Sequence, residues 1–156
     1  MAAIELHKVL VTDYAALLRA MYAEDLPLLE KFHQNAGQGL DACVASTLSQ
    51  ISPDSKFYKI EMPDGTLVGY FVVAEPQEGI DYMEGFFLRM DYRTPEIKQG
   101  FIDLINSTFS NNFFTSTGAN NYRAISFLLK NNFRISNPNF VALNGKSFVV
   151  LEASNS

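Results

Sequence analysis

The stretch "NNYRAISFLLKNNFRI", residues 120–135, has the pattern of a short helix with a defined beginning and end. An asparagine at its start can accept a hydrogen bond from the first free amides, and apolar residues follow at helical spacing. Lys130 lies in the last turn, where a cation is favourable. Asn132 can end the helix, because asparagine is second to glycine in adopting the left-handed backbone that closes many helices. The stretch therefore predicts one short helix between two strands.

Alternating apolar residues and turn signals divide the rest of the chain into further strands and helices. Strands are predicted at residues 3–11, 56–62, 67–75, 80–90 and 112–118, and in a closing hairpin at 140–153. Helices are predicted at 12–25, 40–52 and 94–109, the last one started by Thr94 and Pro95. The hairpin is expected to turn at Asn144–Gly145, a pair typical of a two-residue type I′ turn. The resulting order, β, α, α, β, β, β, α, β, α, β, β, indicates a mixed sheet covered by helices.

Length and composition limit the classes of protein. With 156 residues, a single domain over residues 1–156 is expected. The net charge of -5 argues against a general nucleic-acid binder, which needs a basic surface. Cys43 is the only cysteine, which excludes an internal disulfide and favours a reducing, cytoplasmic setting. The longest apolar run, residues 67–74, has the length of a strand, so no membrane span or signal peptide is expected. His7 and His33 have no neighbour at ligand spacing, and no metal site is expected.

Charge is distributed unevenly along the chain. Residues 1–103 hold sixteen acidic and eight basic residues, whereas residues 104–151 hold four basic residues and no acidic one. The four are Arg123, Lys130, Arg134 and Lys146. Two interpretations stay open: a surface that faces an anion, or a chance gap in a lightly charged sequence.

Two local sequences, together with the order of elements, resemble the GNAT superfamily of acetyl-CoA-dependent N-acetyltransferases. "EGFFLRMDYR", residues 84–93, is similar to the family's central strand and the turn that leaves it. In "NYRAISFLLKNNF", residues 121–133, four residues match the family's helix pattern: Asn121, Ala124, Lys130 and Phe133. The resemblance covers almost the whole chain in layout. It implies a GNAT-like α/β (α+β) fold, with a mixed, mostly antiparallel sheet of six or seven strands and about four helices.

The same resemblance implies an activity and a site. The protein is expected to transfer an acetyl group from acetyl-CoA, its co-substrate, to a small-molecule or peptide amine. Glu84 is expected to be the general base that deprotonates the amine, although a strand residue at this place can equally face solvent. Leu88 and Met90 would pair with the pantetheine arm through their backbone, and the segment 93–100 would meet the pyrophosphate. The residues expected to bind the cofactor are Leu88, Met90, Arg93, Lys98, Gln99, Gly100 and Asn121.

The chain departs from the family pattern at three functional positions. Leu128 stands where the family has the tyrosine that protonates the departing thiolate. Because a thiol with a pKa near 8.5 is a fair leaving group, loss of this acid is expected to slow the reaction by roughly 10²- to 10⁴-fold. Glu96 and Lys98 stand where the family has glycines that let phosphate approach bare amides, and Glu96 is expected to repel phosphate by roughly 3 kcal/mol. The plainer interpretations are that Leu128 is a core residue and that residues 94–96 are an ordinary capped helix start.

These departures support a second function of a different class. A protein with this fold that has lost cofactor binding would serve as a non-catalytic binding or structural module. In an enzyme, Glu24, Asp25 and Glu30 would favour a cationic acceptor if they line the acceptor pocket, and would otherwise be an exposed acidic helix end. A homodimer is compatible with the sequence, which carries no signal of oligomeric state.

Overall fold

The computed structural model describes residues 4–29, 38–75, 78–142 and 145–154, which form seven strands and four α-helices in the predicted order. The strands are β1 (His7–Val11), β2 (Lys56–Glu61), β3 (Leu67–Val73), β4 (Asp81–Leu88), β5 (Phe113–Gly118), β6 (Phe133–Val141) and β7 (Ser147–Ala153). The helices are α1 (Tyr14–Leu29), α2 (Leu40–Ser49), α3 (Pro95–Thr108) and α4 (Tyr122–Lys130). A 3₁₀ turn, Met90–Tyr92, joins β4 to α3. In the described part of the chain, no helix combines the length and the apolar character that crossing a membrane requires.

The seven described strands form one sheet in the order β1-β2-β3-β4-β5-β7-β6. Only β4 and β5 among them are parallel neighbours, because α3 returns the chain to the same end of the sheet. The other neighbouring strands are antiparallel. The predicted mixed, mostly antiparallel sheet with about four helices is therefore confirmed.

Helices cover both faces of the sheet, and each face has its own core. α3 and α4 cover one face, where Phe101 and Leu128 belong to the larger core. α1 and α2 cover the other face, where Leu18 belongs to the smaller core. Successive strand residues point to opposite faces, so β3 contributes Phe71 to the larger core and Tyr70 to the smaller one.

Predicted cap residues hold the starts of α3 and α4. The Ile97 amide donates to Thr94 Oγ1 at 3.3 Å, and the Ala124 amide donates to Asn121 Oδ1 at 3.2 Å. Asn132 has a φ of 69°, the left-handed conformation that glycine most often supplies after a helix. The predicted roles of these three polar residues in helix ends are confirmed.

α1 ends later than the sequence predicts. The expected end is residue 25, whereas the helix continues through Pro27 to Leu29. A proline lacks one amide donor, and in the last turn of a helix this removes a single hydrogen bond without ending the helix at once.

The closing hairpin between β6 and β7 is present, but its loop is longer than expected. The Ala142 amide donates to the Lys146 carbonyl at 2.9 Å, so three residues, not two, lie between the paired ends. Gly145 is the last of them, with a φ of 82° that suits glycine. Asn144, like His33, lies outside the described residues.

Candidate active site

The sheet splits between β4 and β5. The two strands pair over three positions, from Asp81 with Phe113 to Met83 with Thr115, whose hydroxyl donates to the Met83 carbonyl at 2.9 Å. Beyond this point β4 stays paired with β3, and β5 stays paired with β7. Because each strand follows a different neighbour, the two diverge and leave a V-shaped gap in the middle of the sheet.

The β4 side of the gap carries backbone groups that face no described strand. In an antiparallel pair, residues alternate between those that bond to the neighbouring strand and those that point away from it. The Arg89 amide donates to the Val68 carbonyl at 2.8 Å, so Leu88 and Phe86, one and three residues earlier, direct their backbone groups into the gap. Arg93 Nε donates to the Leu88 carbonyl at 2.8 Å, in agreement with that direction.

A groove passes through the gap and joins the two faces of the sheet. Its volume of about 1760 Å³ exceeds the roughly 300–1,000 Å³ of a site for one small ligand, so it has room for more than one small molecule. On the face covered by α1 and α2 its lining includes Tyr22, Thr47 and Tyr70. On the face covered by α3 and α4 it includes Phe101 and Phe127.

Glu84 lies at a β-bulge beside the gap. Val72 pairs with Gly85 and Val73 pairs with Met83, so Glu84 is an extra residue in β4. A bulge bends its strand and changes the direction of the side chain at that point. The bulge coincides with the divergence of β4 from β5, and Glu84 lines the groove.

Three donors hold the Glu84 carboxylate. One oxygen accepts from the Ser52 amide at 2.6 Å and the Ser55 hydroxyl at 3.0 Å, and the other accepts from the Ser52 hydroxyl at 2.7 Å. The segment between α2 and β2 thereby fixes the carboxylate at the wall of the groove. Glu84 is half-buried there and is not a solvent-facing strand residue.

A chain of hydroxyl groups lines the α1–α2 side of the groove. The Tyr22 hydroxyl lies 2.8 Å from the Tyr70 hydroxyl and 3.1 Å from Thr47 Oγ1. Burial raises the pKa of Tyr22, and it raises the pKa of Tyr70 well above its ordinary value. Both phenols are therefore protonated near neutral pH and can exchange hydrogen bonds with a bound molecule.

The groove carries an excess of positive charge. Its described lining contains two carboxylates, on Glu84 and Asp91, and five cationic side chains: Arg93, Lys98, Arg123, Lys130 and Lys146. Three of these cations come from the acid-free segment 104–151, which favours the anion-facing interpretation of that segment. Its fourth basic residue, Arg134, pairs instead with Glu152 at 2.6 Å.

Solved acetyltransferase structures share this architecture, although no protein-family model and no curated protein matches the sequence. An acetyltransferase from Thermus thermophilus superposes with a TM-score of 0.71 at 14% identity, over 99% of both chains. Spermidine N-acetyltransferase from Vibrio cholerae, in complex with CoA and spermine, gives 0.65 at 8% identity over 97% of this chain and 96% of that one. An acetyltransferase of the GNAT family from Staphylococcus aureus gives 0.59 at 13% identity over 97% and 99%. The chain has the GNAT fold.

The start of α3, where the GNAT pattern has glycines, offers few free amides. Pro95 has no N–H, and the Ile97 amide is held by Thr94, which leaves the Glu96 amide in the first turn. Lys98 lines the groove, whereas Glu96 is not among the described residues that line it. The expected repulsion between the Glu96 carboxylate and a phosphate in the groove is therefore not supported. The side-chain cation of Lys98 therefore occupies a position at which a glycine of the GNAT pattern leaves backbone amides accessible.

Gly100 and Leu128 belong to the packing of this GNAT fold. A Cβ on Gly100 would lie 2.1 Å from the Ile4 carbonyl oxygen, so this buried glycine lets α3 pack against the N-terminal segment. Gly100 is not among the described residues that line the groove, and its expected contact with the cofactor stays a prediction. Leu128 is 0% exposed in the larger core, in agreement with the plainer interpretation of that position.

Arg89 forms ion pairs with both acids at the end of α1. Its guanidinium lies 2.6 Å from Glu24 and 3.3 Å from Asp25, whose side chain is 3% exposed. Neither carboxylate belongs to the described lining of the groove, and Glu30 lies outside the described residues. The expectation that these acids attract a cationic acceptor is therefore not supported.

The other predicted site residues all line the groove: Glu84, Leu88, Met90, Arg93, Lys98, Gln99 and Asn121. Sequence reasoning missed a second group that lines the groove or holds Glu84: Tyr22, Ser52, Ser55, Tyr70 and Phe86. No local pattern distinguishes this second group. Their place depends on the register of β4 and on how α1 and α2 pack across the sheet.

Proposed function

We propose that this protein is a GNAT-type N-acetyltransferase that transfers the acetyl group of acetyl-CoA to an amine. The observation that carries the proposal is the divergence of β4 from β5, which opens a groove through the sheet and directs the backbone of Phe86 and Leu88 into it. The fold supports it, since the spermidine N-acetyltransferase of the same fold is in complex with CoA.

The groove fits acetyl-CoA in two respects. The pantetheine arm carries amides that can pair with the strand-like backbone of Phe86 and Leu88. Its phosphates need cations, which Lys98 at α3 and Lys130 at α4 supply, with Gln99 and Asn121 as polar neighbours. Phosphate recognition in this chain would thus depend on lysine side chains more than on a helix start with bare amides.

The chain's own residues supply one proton acceptor for the transfer. Acetyl-CoA supplies a thioester carbonyl, at which a new C–N bond replaces the C–S bond and the sulfur leaves as a thiolate. Glu84 would take the proton of the amine, directly or through one water, while Ser52 and Ser55 keep its carboxylate in place. Because a leucine, Leu128, occupies the family's tyrosine position, α4 offers no acid there, and the thiolate would leave without a proton from that position.

Two observations favour a second candidate function, a non-catalytic binding or structural module. The start of α3 keeps few free amides for a phosphate, and the position of the family's tyrosine is filled by a core leucine. A protein of this kind would keep the GNAT fold and its groove without turning over acetyl-CoA.

Thermal denaturation with acetyl-CoA, followed by detection of free CoA thiol with a panel of amines, separates the two functions. A ligand at 100 times its Kd stabilises the folded state by about 2.7 kcal/mol, which for a chain of this size raises Tm by roughly 5–11 °C. The Glu84→Gln variant should keep this shift and release CoA at least about 100-fold more slowly. Glu61→Gln removes a carboxylate of β2 outside the described lining of the groove and should change neither result. Absence of both the shift and the release in the unmodified protein would favour the module.

A further inference from the structure

The Arg93 side chain lies on the face of the sheet that α1 and α2 cover. Its guanidinium is 5.8 Å from the centre of the Phe87 ring, and Phe87 in turn packs edge-on against Tyr22 of α1 at 5.6 Å and lies 6.1 Å from Tyr70. The Nε donates to the Leu88 carbonyl, which turns the guanidinium back along the end of β4. Arg93 therefore continues the aromatic wall made by Tyr22, Tyr70 and Phe87.

Arg93 has no carboxylate partner within the described residues. The carboxylate whose charge acts on Arg93, that of Asp25, is held by two contacts of 3.3 Å to Arg89. Loss of solvent lowers the pKa of Arg93, and the positive charge of Arg123 lowers it further. A half-buried guanidinium without a counter-ion gains more from an anion than an exposed one does.

Glu84 and Arg93 stand at the two ends of this wall. The Arg93 guanidinium lies over the ring of Phe87, which is three residues along β4 from Glu84. At about 3.3 Å per strand residue, Glu84 and Phe87 are roughly 10 Å apart along the strand, which sets the length of the wall. Between them the wall is aromatic, with hydroxyl groups on Tyr22 and Tyr70. A molecule placed along it meets a proton acceptor at one end and a cation at the other.

We propose that the acceptor is an amine that also carries an oxyanion, a carboxylate or a phosphate, roughly 10 Å from its nitrogen, and that Arg93 binds this oxyanion. The inference rests on the proposed function, because it assigns the amine to Glu84. A polyamine fits the same wall poorly: Arg93 would repel it, and the carboxylates of Glu24 and Asp25 are paired with Arg89 and lie outside the described lining of the groove.

The oxyanion that Arg93 binds could come from the acceptor or from the diphosphate of the cofactor, and one variant separates these sources. Trialanine and trialanine amide share an amine and a length of about 10 Å when extended, and differ in the terminal carboxylate. Arg93→Gln should lower kcat/KM for trialanine by about 10- to 100-fold, change that for the amide by less than about 2-fold, and leave the Kd of acetyl-CoA unchanged. Arg93→Lys should keep part of the preference for the acid. Arg134→Gln, which removes a surface cation outside the described lining of the groove, is the charge-matched control.

A raised Kd for acetyl-CoA in Arg93→Gln, with an unchanged ratio between acid and amide, would overturn the proposal by assigning Arg93 to the cofactor. Binding of the two peptides without acetyl-CoA, followed by the NMR signal of the Arg93 Nε–H group, tests the oxyanion site independently of transfer. Tighter binding of the acid, lost in Arg93→Gln, supports the site even in a protein that transfers nothing. Equal binding of both peptides, or binding of neither, overturns it.

Discussion

Leu128→Tyr restores the residue of the GNAT pattern, yet the structure predicts that it damages the protein. Leu128 is fully buried in the core between the sheet, α3 and α4. A larger side chain in such a place costs about 1–3 kcal/mol through overpacking, and a buried hydroxyl without a partner adds about 1–3 kcal/mol. The free energy of unfolding should therefore fall by about 2–6 kcal/mol, a large part of the about 5–15 kcal/mol that a protein typically has.

Thermal denaturation measures this loss, and two matched variants divide it into parts. At roughly 2–4 °C per kcal/mol for a chain of this size, Leu128→Tyr should lower Tm by about 4–24 °C. Leu128→Phe brings the ring without the hydroxyl and should show only the overpacking part. Leu129→Tyr changes the next residue, which is 45% exposed, and should stay within about 0.5 kcal/mol of the unmodified protein.

Release of CoA, measured on the same protein samples, decides whether the side chain at position 128 lies in the core or reaches the groove. An unchanged Tm with faster release would refute the reasoning, because it would mean that the side chain at position 128 reaches the groove. A lower Tm without faster release would agree with a core position. If neither the unmodified protein nor the variant releases CoA, the non-catalytic module becomes the better description.

Three further substitutions test other parts of the structure. Gly100→Ala should lower the free energy of unfolding, measured by calorimetry, by about 1–3 kcal/mol because the new Cβ meets a backbone oxygen. Gly85→Ala is the control: no heavy atom lies within 4 Å of its new Cβ, and the loss should be less than 1 kcal/mol. Equal losses in the two variants would contradict this packing. Lys98→Gly should raise the Kd of acetyl-CoA by about 3- to 10-fold in titration calorimetry, and Glu96→Gly should leave it unchanged. A Kd that does not rise in Lys98→Gly would mean that backbone amides, and not the lysine, hold the phosphates. Burial holds the pKa of Tyr70 well above 10.0 in the folded protein, so the unfolded chain loses this proton first and the free energy of unfolding should fall as pH rises above 10. Tyr70→Phe should reduce that fall. An identical dependence of stability on alkaline pH in both proteins would argue against a buried, protonated Tyr70.

Much of the fold follows from local sequence, because the signals are local. Thr94, Asn121 and Asn132 hold or end their helices through contacts within a few residues, and the sequence predicts all three. The order of seven strands and four helices follows from apolar periodicity in the same way. Pro27 is an exception, since the continuation of α1 through a proline depends on how the whole helix packs.

The candidate site could be predicted only in part. Glu84, Arg93 and Lys98 can be proposed from the sequence because they fall within recognisable stretches, and all three line the groove. The packing role of Gly100 could not be predicted, because a glycine that serves phosphate binding and one that serves helix packing look alike in a sequence. The contact that distinguishes them is with the Ile4 carbonyl, nearly a hundred residues away along the chain.

The sequence by itself determined the elements, their order and the excess of basic residues in the segment 104–151, since each depends on neighbours within one helix or strand. Tertiary structure alone decided that β4 and β5 part after Met83 and Thr115, because strand pairing is a contact between distant segments and a bulge of one residue at Glu84 changes it. The same divergence decides which backbone groups face the groove and which carboxylate lies beside them. Leu128 shows most clearly what the sequence cannot determine. A leucine at this position could lie in the core or at the groove, and only packing against α3 and the sheet places it in the core.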